Sequence, residues 1–99
     1  MRLSSEHLRI IKQAVAVSLG DGAQVRLFGS RLDDAAKGGD VDLHISLTRP
    51  IASPVWAAAQ LASRLERELG GRRVDVRLWG CNEPMLPIDQ AALRTGVVF

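Results

Sequence analysis

Three aspartates and one Gly-Ser pair are the residues whose types and spacing point to chemistry in this 99-residue chain. Asp40 and Asp42 stand two apart in Gly39-Asp40-Val41-Asp42-Leu43, where polar and apolar residues alternate as in a β-strand. On a strand, residues i and i+2 project from the same face, so the two carboxylates can jointly grip a hard cation through oxygen. Asp75, in Arg73-Val74-Asp75-Val76, lies in a second alternating run and supplies a third carboxylate on a neighbouring strand. Carboxylates ~4 Å apart repel by ~4 kcal/mol per pair at an effective dielectric near 20, so three together call for a cation or for proton uptake. A competing reading leaves these aspartates solvated at a sheet edge, each paired with an arginine such as Arg73 or Arg77.

The Gly-Ser pair lies upstream, in Phe28-Gly29-Ser30, and nine residues separate it from Asp40. Glycine after a strand lets backbone N–H groups approach a phosphate closely, and the adjacent hydroxyl can donate to a phosphate oxygen. A helical turn starting at Ser30 would add an N-terminus that favours an anion. Metal grip and phosphate cradle are the two halves that phosphoryl or nucleotidyl transfer requires, because catalysis there is mostly positioning and charge stabilisation.

The elements that must hold these residues can be read from periodicity. Leu8, Ile11, Val15 and Leu19 recur at helical spacing, Ser4 can cap, Leu3 and Leu8 can staple across the cap, and Gly20-Asp21-Gly22 ends the run, which predicts a helix over 5–19. Val25 to Phe28 reads as a strand feeding a tight turn, and the polar run from Arg31 to Gly39 as a helical turn and loop. Val41, Leu43, Ile45 and Leu47 alternate with Asp40, Asp42, His44 and Ser46 as a second strand. Ser53-Pro54 supplies a cap and first helical position, and Val55, Ala58, Ala62, Leu65 and Leu69 form an apolar stripe, predicting a helix over 54–69. Val74, Val76 and Leu78 alternate with Arg73, Asp75, Arg77 and Trp79, so Asp75 can share a face with Asp42. Pro87 opens a last short helix ending at Gly96, and Val97-Val98-Phe99 packs or pairs at an edge. The fold class expected is α/β, a single mixed sheet of three to four strands flanked by helices, in one domain over 1–99.

The run Leu27-Phe28-Gly29-Ser30-Arg31, the acidic pair Asp33-Asp34 and Gly38-Gly39-Asp40-Val41-Asp42-Leu43 resemble the signature of the minimal nucleotidyltransferases of the DNA polymerase β superfamily. Arg73-Val74-Asp75-Val76 is similar to the strand that bears the third carboxylate, and Pro87-Ile88 through Gly96-Val97 to the closing helix, so the resemblance spans the chain. It implies the nucleotidyltransferase fold, with Asp40 and Asp42 binding two Mg²⁺ ions together with ATP or another nucleoside triphosphate. It further implies that Gly29 and Ser30 hold the phosphates, with Arg31 a weaker carry-over to phosphate, and that Asp75 serves the metal nearer the acceptor hydroxyl. Bacterial members of this size are often encoded beside a small helical partner of the HEPN type, and some act as antitoxins that attach AMP to that partner.

Composition narrows the alternatives. Hydrophobic residues at 46% and charged residues at 24% are near globular averages, and no apolar run approaches the ~18 residues of a membrane span, so no membrane association is expected. The N-terminus lacks the apolar core of a secretory signal, which makes the cytoplasm the default location. Cys81 is the sole cysteine, so neither an internal disulfide nor a cysteine-based zinc cluster is open to the chain. Thirteen basic and eleven acidic residues give +2, too balanced to mark a nucleic-acid binder, and an enzyme acting on RNA ends ranks last. Arg64, Arg67, Arg72, Arg73 and Arg77 read as solvated faces, or as a phosphate contact or partner surface.

Mg²⁺-dependent transfer of a nucleoside monophosphate, AMP from ATP in the leading case, to a hydroxyl acceptor is therefore the function expected. The rival is a non-catalytic module of the same fold that neutralises or scaffolds a HEPN-type partner. His44 reads as a hydrogen-bonded bystander or as a base at the pocket edge, Trp56 and Trp79 as core rim or partner surface, and the small size leaves room for a homo-oligomer.

Overall fold

A computed structural model describes residues 4–20, 22–28, 41–80 and 83–99. The element order is α1 (Ser5–Leu19), β1 (Gln24–Phe28), β2 (Val41–Ser46), α2 (Pro54–Glu68), β3 (Val74–Trp79), α3 (Pro87–Thr95) and β4 (Val97–Val98). The strands form one sheet in the order β3-β2-β1-β4, with β2 and β3 parallel and the other neighbours antiparallel. Among the described residues this is an α/β fold with a single mixed sheet flanked by three helices, consistent with a nucleotidyltransferase-like fold. Among the described residues no helix is long and apolar enough to cross a membrane.

Each element has a local cause. The Ser4 side chain accepts a hydrogen bond from the His7 N–H at 3.1 Å and so caps α1, while Gly20, at φ +89°, ends it in a conformation that glycine adopts without strain. Leu3 and Asp21, invoked for the staple and the stop, lie outside the described residues, as does the whole stretch from Gly29 to Asp40. Pro54 opens α2, but Ser53 makes no side-chain cap bond, because its backbone sits at φ −141°, ψ 80°. Proline at the first position already removes one of the N–H groups that a helix start leaves without an intrahelical partner.

The alternation of β2 and β3 divides the sheet into two faces. Val41, Leu43, Ile45, Val74 and Leu78 are buried in one core with Ile11, Ala14 and Val15 of α1 and Leu61 and Leu65 of α2. Of the stripe expected on α2, Leu65 and Leu69 are buried and Ala58 packs against the core, Leu61 joins them, and Val55 is 85% exposed. At 100° per residue Leu61 and Leu65 lie on one side of Ala58, and Val55 and Ala62 are turned towards the rim beside β3. The opposite face of the sheet carries Asp42, His44, Ser46, Asp75, Arg77 and Trp79, and α3 packs there. Val97 and Val98 pair with Leu27 and Arg26 at the β1 edge.

Candidate functional site

The site is built on the start of two parallel strands. In the β2–β3 register Asp42 is opposite Asp75, His44 opposite Arg77 and Ser46 opposite Trp79. Directly opposed residues on adjacent strands share a face, so Asp42 and Asp75 are neighbours on the face away from the core, with backbones about 4.8 Å apart. On the other side of β2, Asp42 is opposite Phe28, the last residue of β1, which is bonded to Gly29. Asp42 is half-buried. The Asp75 side chain is 54% exposed, with Arg73 Nε 3.7 Å from its Oδ1.

That exposure lowers the expected repulsion, because a solvated carboxylate with a nearby guanidinium is screened. An exposed pair at this distance is worth ~0–1 kcal/mol, too little to hold Asp75 against a divalent cation. The sequence reading of Asp75 as arginine-paired therefore holds in part, for Arg73. Arg77 is committed elsewhere.

Of the residues expected to form the site, the structure brings together Asp42 and Asp75, while Asp40, Gly29, Ser30 and Arg31 lie outside the described residues. Among the described residues no group of three or more metal-type donors is assembled. The two described donors are carboxylates on adjacent strands, and carboxylate oxygen is the ligand type that suits Mg²⁺. Cys81 also falls outside the described residues.

Behind the aspartates lies a buried polar network absent from the sequence reading. Asp89 of α3 is fully buried, and its Oδ1 is 2.7 Å from His44 Nε2, on a side chain that is also fully buried. Arg77 Nε donates to Oδ1 at 3.1 Å and Arg77 Nη2 to Oδ2 at 2.9 Å, a bidentate pair. The Leu86 N–H donates to Oδ2 at 2.9 Å, so Asp89 also caps its own helix. Burial pushes the Asp89 carboxyl up, but the bonds from Arg77, the Leu86 N–H and His44 outweigh it and hold it down at about 2. The carboxylate is thus ionised at neutral pH and accepts from every partner, so His44 Nε2 is the donor. Its bond to Asp89 raises Arg77 above the ordinary arginine value.

His44 is packed between Phe28 and Trp79, with ring centroids 6.2 and 6.1 Å away. It is a hydrogen-bonded structural residue beneath α3, not a base at a pocket edge. Trp79 donates from Nε1 to the Glu83 carbonyl at 3.3 Å, whereas Trp56 is 64% exposed. Arg64 and Arg67 bond Glu68 and Ser63 on the exposed surface of α2, as solvated faces should. A sequence signal for Asp89 did exist. Pro87 fixes the first turn of α3 and sets Asp89 at its third position, where an acidic residue reaches back to the cap.

No protein-family model matches the chain, and no curated protein gives a significant match.

Proposed function

We propose that this chain is a Mg²⁺-dependent nucleotidyltransferase of the minimal nucleotidyltransferase type, moving a nucleoside monophosphate, AMP from ATP in the leading case, to a hydroxyl acceptor. The observation that carries this reading is the register of Asp42 against Asp75 on parallel strands, beside the end of β1 that leads into Gly29-Ser30. In the reaction the acceptor oxygen bonds to the α-phosphorus, the bond from that phosphorus to the bridging oxygen breaks, pyrophosphate leaves, and the hydroxyl proton passes to water. Magnesium, when bound, neutralises the phosphate charge and favours the alkoxide form of the acceptor.

The chain's own residues have distinct tasks. Asp42, with Asp40, would hold metal on the triphosphate side, and Asp75 on the acceptor side. Gly29 and Ser30 would take the phosphates, aided by Arg31. The Asp89–Arg77–His44 network keeps α3 fixed on the same face, so the strands that carry the carboxylates have a rigid backing. A small helical partner of the HEPN type is the acceptor that the family resemblance suggests, and the cytoplasm is the compartment.

The test uses α-labelled ATP, Mg²⁺ and the protein that co-purifies with the chain. Label appearing on that protein, and lost on chelation or in Asp75→Asn, supports transfer. A stable complex without label, at saturating ATP, would instead favour a non-catalytic scaffold.

A further inference from the structure

The outer edge of β3 carries a self-complementary pattern. This strand is outermost in the order β3-β2-β1-β4, and among the described residues no strand pairs with its far side. The Val41 N–H donates to the Arg73 carbonyl at 2.8 Å and the Leu47 N–H to the Trp79 carbonyl at 2.9 Å, so odd-numbered residues of β3 turn their backbone groups towards β2. Backbone groups alternate sides along a strand, which turns those of Val74, Val76 and Leu78 outward. The outward Val74 N–H donates to Glu66 Oε2 at 3.0 Å.

Charge, the bond from Glu66 and the length of β3 together select one way of adding a second strand here. Antiparallel pairing of two β3 strands centred on Val76 sets Asp75 opposite Arg77 of the second copy, a guanidinium that keeps its bidentate bond to Asp89, and Val74 opposite Leu78. Centring on Asp75 faces that residue with itself and Arg73 with Arg77, and centring on Arg77 faces arginine with arginine. Both alternatives oppose like charges and are disfavoured. Centring on Val74 sets Arg73 opposite Asp75 but needs the outward Val74 N–H that Glu66 already holds, and centring on Leu78 leaves half of β3 unpaired. In the Val76 register the two Val76 residues exchange their outward bonds on the two-fold axis. The Leu78 N–H then meets the Val74 carbonyl of the other copy, and Glu66 keeps the Val74 N–H it already satisfies.

The apolar side agrees with this register. A groove of about 340 Å³ between β3 and α2 is lined by Val55, Ala58, Ala62, Val74 and Val76. Joining two copies along β3 brings their grooves together about the same axis, so that the exposed Val55 and half-buried Val76 lose water. We propose that the edge of β3 is the interface of a two-fold dimer of this chain, formed by antiparallel pairing about Val76 into one continuous sheet. This inference does not rest on the transfer reading.

Light scattering on the full chain over a concentration series, in low and high salt, tests it. A concentration-dependent dimer that weakens with salt is expected. In Val76→Pro the lost N–H points outward and serves no bond to β2, so the monomer should keep its circular dichroism. Its dissociation constant should nevertheless rise by at least about tenfold. In a second variant, Val76→Cys with Cys81→Ser, mild oxidation should cross-link two copies, since opposed residues of an antiparallel pair lie within disulfide reach. Val17→Cys with Cys81→Ser, on exposed α1, serves as the control. A monomer at every concentration, a folded Val76→Pro that still dimerises as tightly, or cross-linking no faster than in the control would overturn the proposal. Should Val76→Pro fail to fold, the cross-linking comparison decides.

Discussion

Asp42 and Asp75 are register partners on the parallel strands β2 and β3, more than thirty residues apart in sequence and side by side on one face. A carboxylate placed there for stability would have a strong partner. Asp75 instead is more than half exposed and has Arg73 only at 3.7 Å. Asp75→Asn should therefore change the stability of the metal-free protein by no more than ~1 kcal/mol in urea denaturation. A loss above ~2 kcal/mol would give Asp75 a structural role and weaken its assignment to the site.

Asp89 should behave in the opposite way. It is fully buried and answers Arg77, His44 and the Leu86 N–H, so Asp89→Asn leaves a guanidinium without its counter-charge and strips two acceptor positions. Removing one partner of a buried pair costs ~3–5 kcal/mol, and the quarter exposure of Arg77 places the expected loss nearer ~2–3 kcal/mol. Urea denaturation at neutral pH measures it, and a change below ~0.5 kcal/mol would contradict the network.

The same carboxylate sets a pH dependence. Its value of about 2 in the folded chain lies below the ordinary 3.8, so its contribution is present in full above the unfolded value and is lost as pH falls towards 2. The shift corresponds to about 2 kcal/mol. The stability difference between wild type and Asp89→Asn should accordingly shrink between pH 4 and pH 2. A gap that stays constant across that window would show that Asp89 does not titrate as described.

The two serines ahead of α1 and α2 provide a matched test of capping. Ser4 bonds the His7 N–H, whereas Ser53 makes no side-chain cap bond. Ser4→Ala should cost ~1 kcal/mol and Ser53→Ala less than ~0.5 kcal/mol, by thermal or urea unfolding. Equal losses would contradict the difference in geometry.

Much of the fold was legible because its signals are local. The spacing of Leu8, Ile11, Val15 and Leu19 with Ser4 ahead of them locates α1, and the alternation through Val41–Ser46 and Val74–Trp79 locates the strands and the shared face of Asp42 and Asp75. What escaped depends on contacts distant in sequence. Asp89 looks like a solvated helix residue until His44, from 45 positions away, and Arg77 close on it, and periodicity cannot show which face α3 covers. His44 illustrates the same limit, since strand alternation gives the face but not whether a helix lies over it. The α2 stripe holds at Ala58, Leu65 and Leu69 but took in exposed Val55 and missed Leu61, because alanines at positions 57, 58, 59 and 62 leave the edges of the apolar side poorly marked.

The most direct measurement of the central claim compares Asp42→Asn and Asp75→Asn for two quantities, Mg²⁺-dependent binding of ATP and transfer of labelled AMP to the co-purifying protein. If the two strand carboxylates divide the work as proposed, Asp75→Asn abolishes transfer and retains most ATP affinity, while Asp42→Asn loses both. Transfer and binding at wild-type levels in either variant would contradict the account.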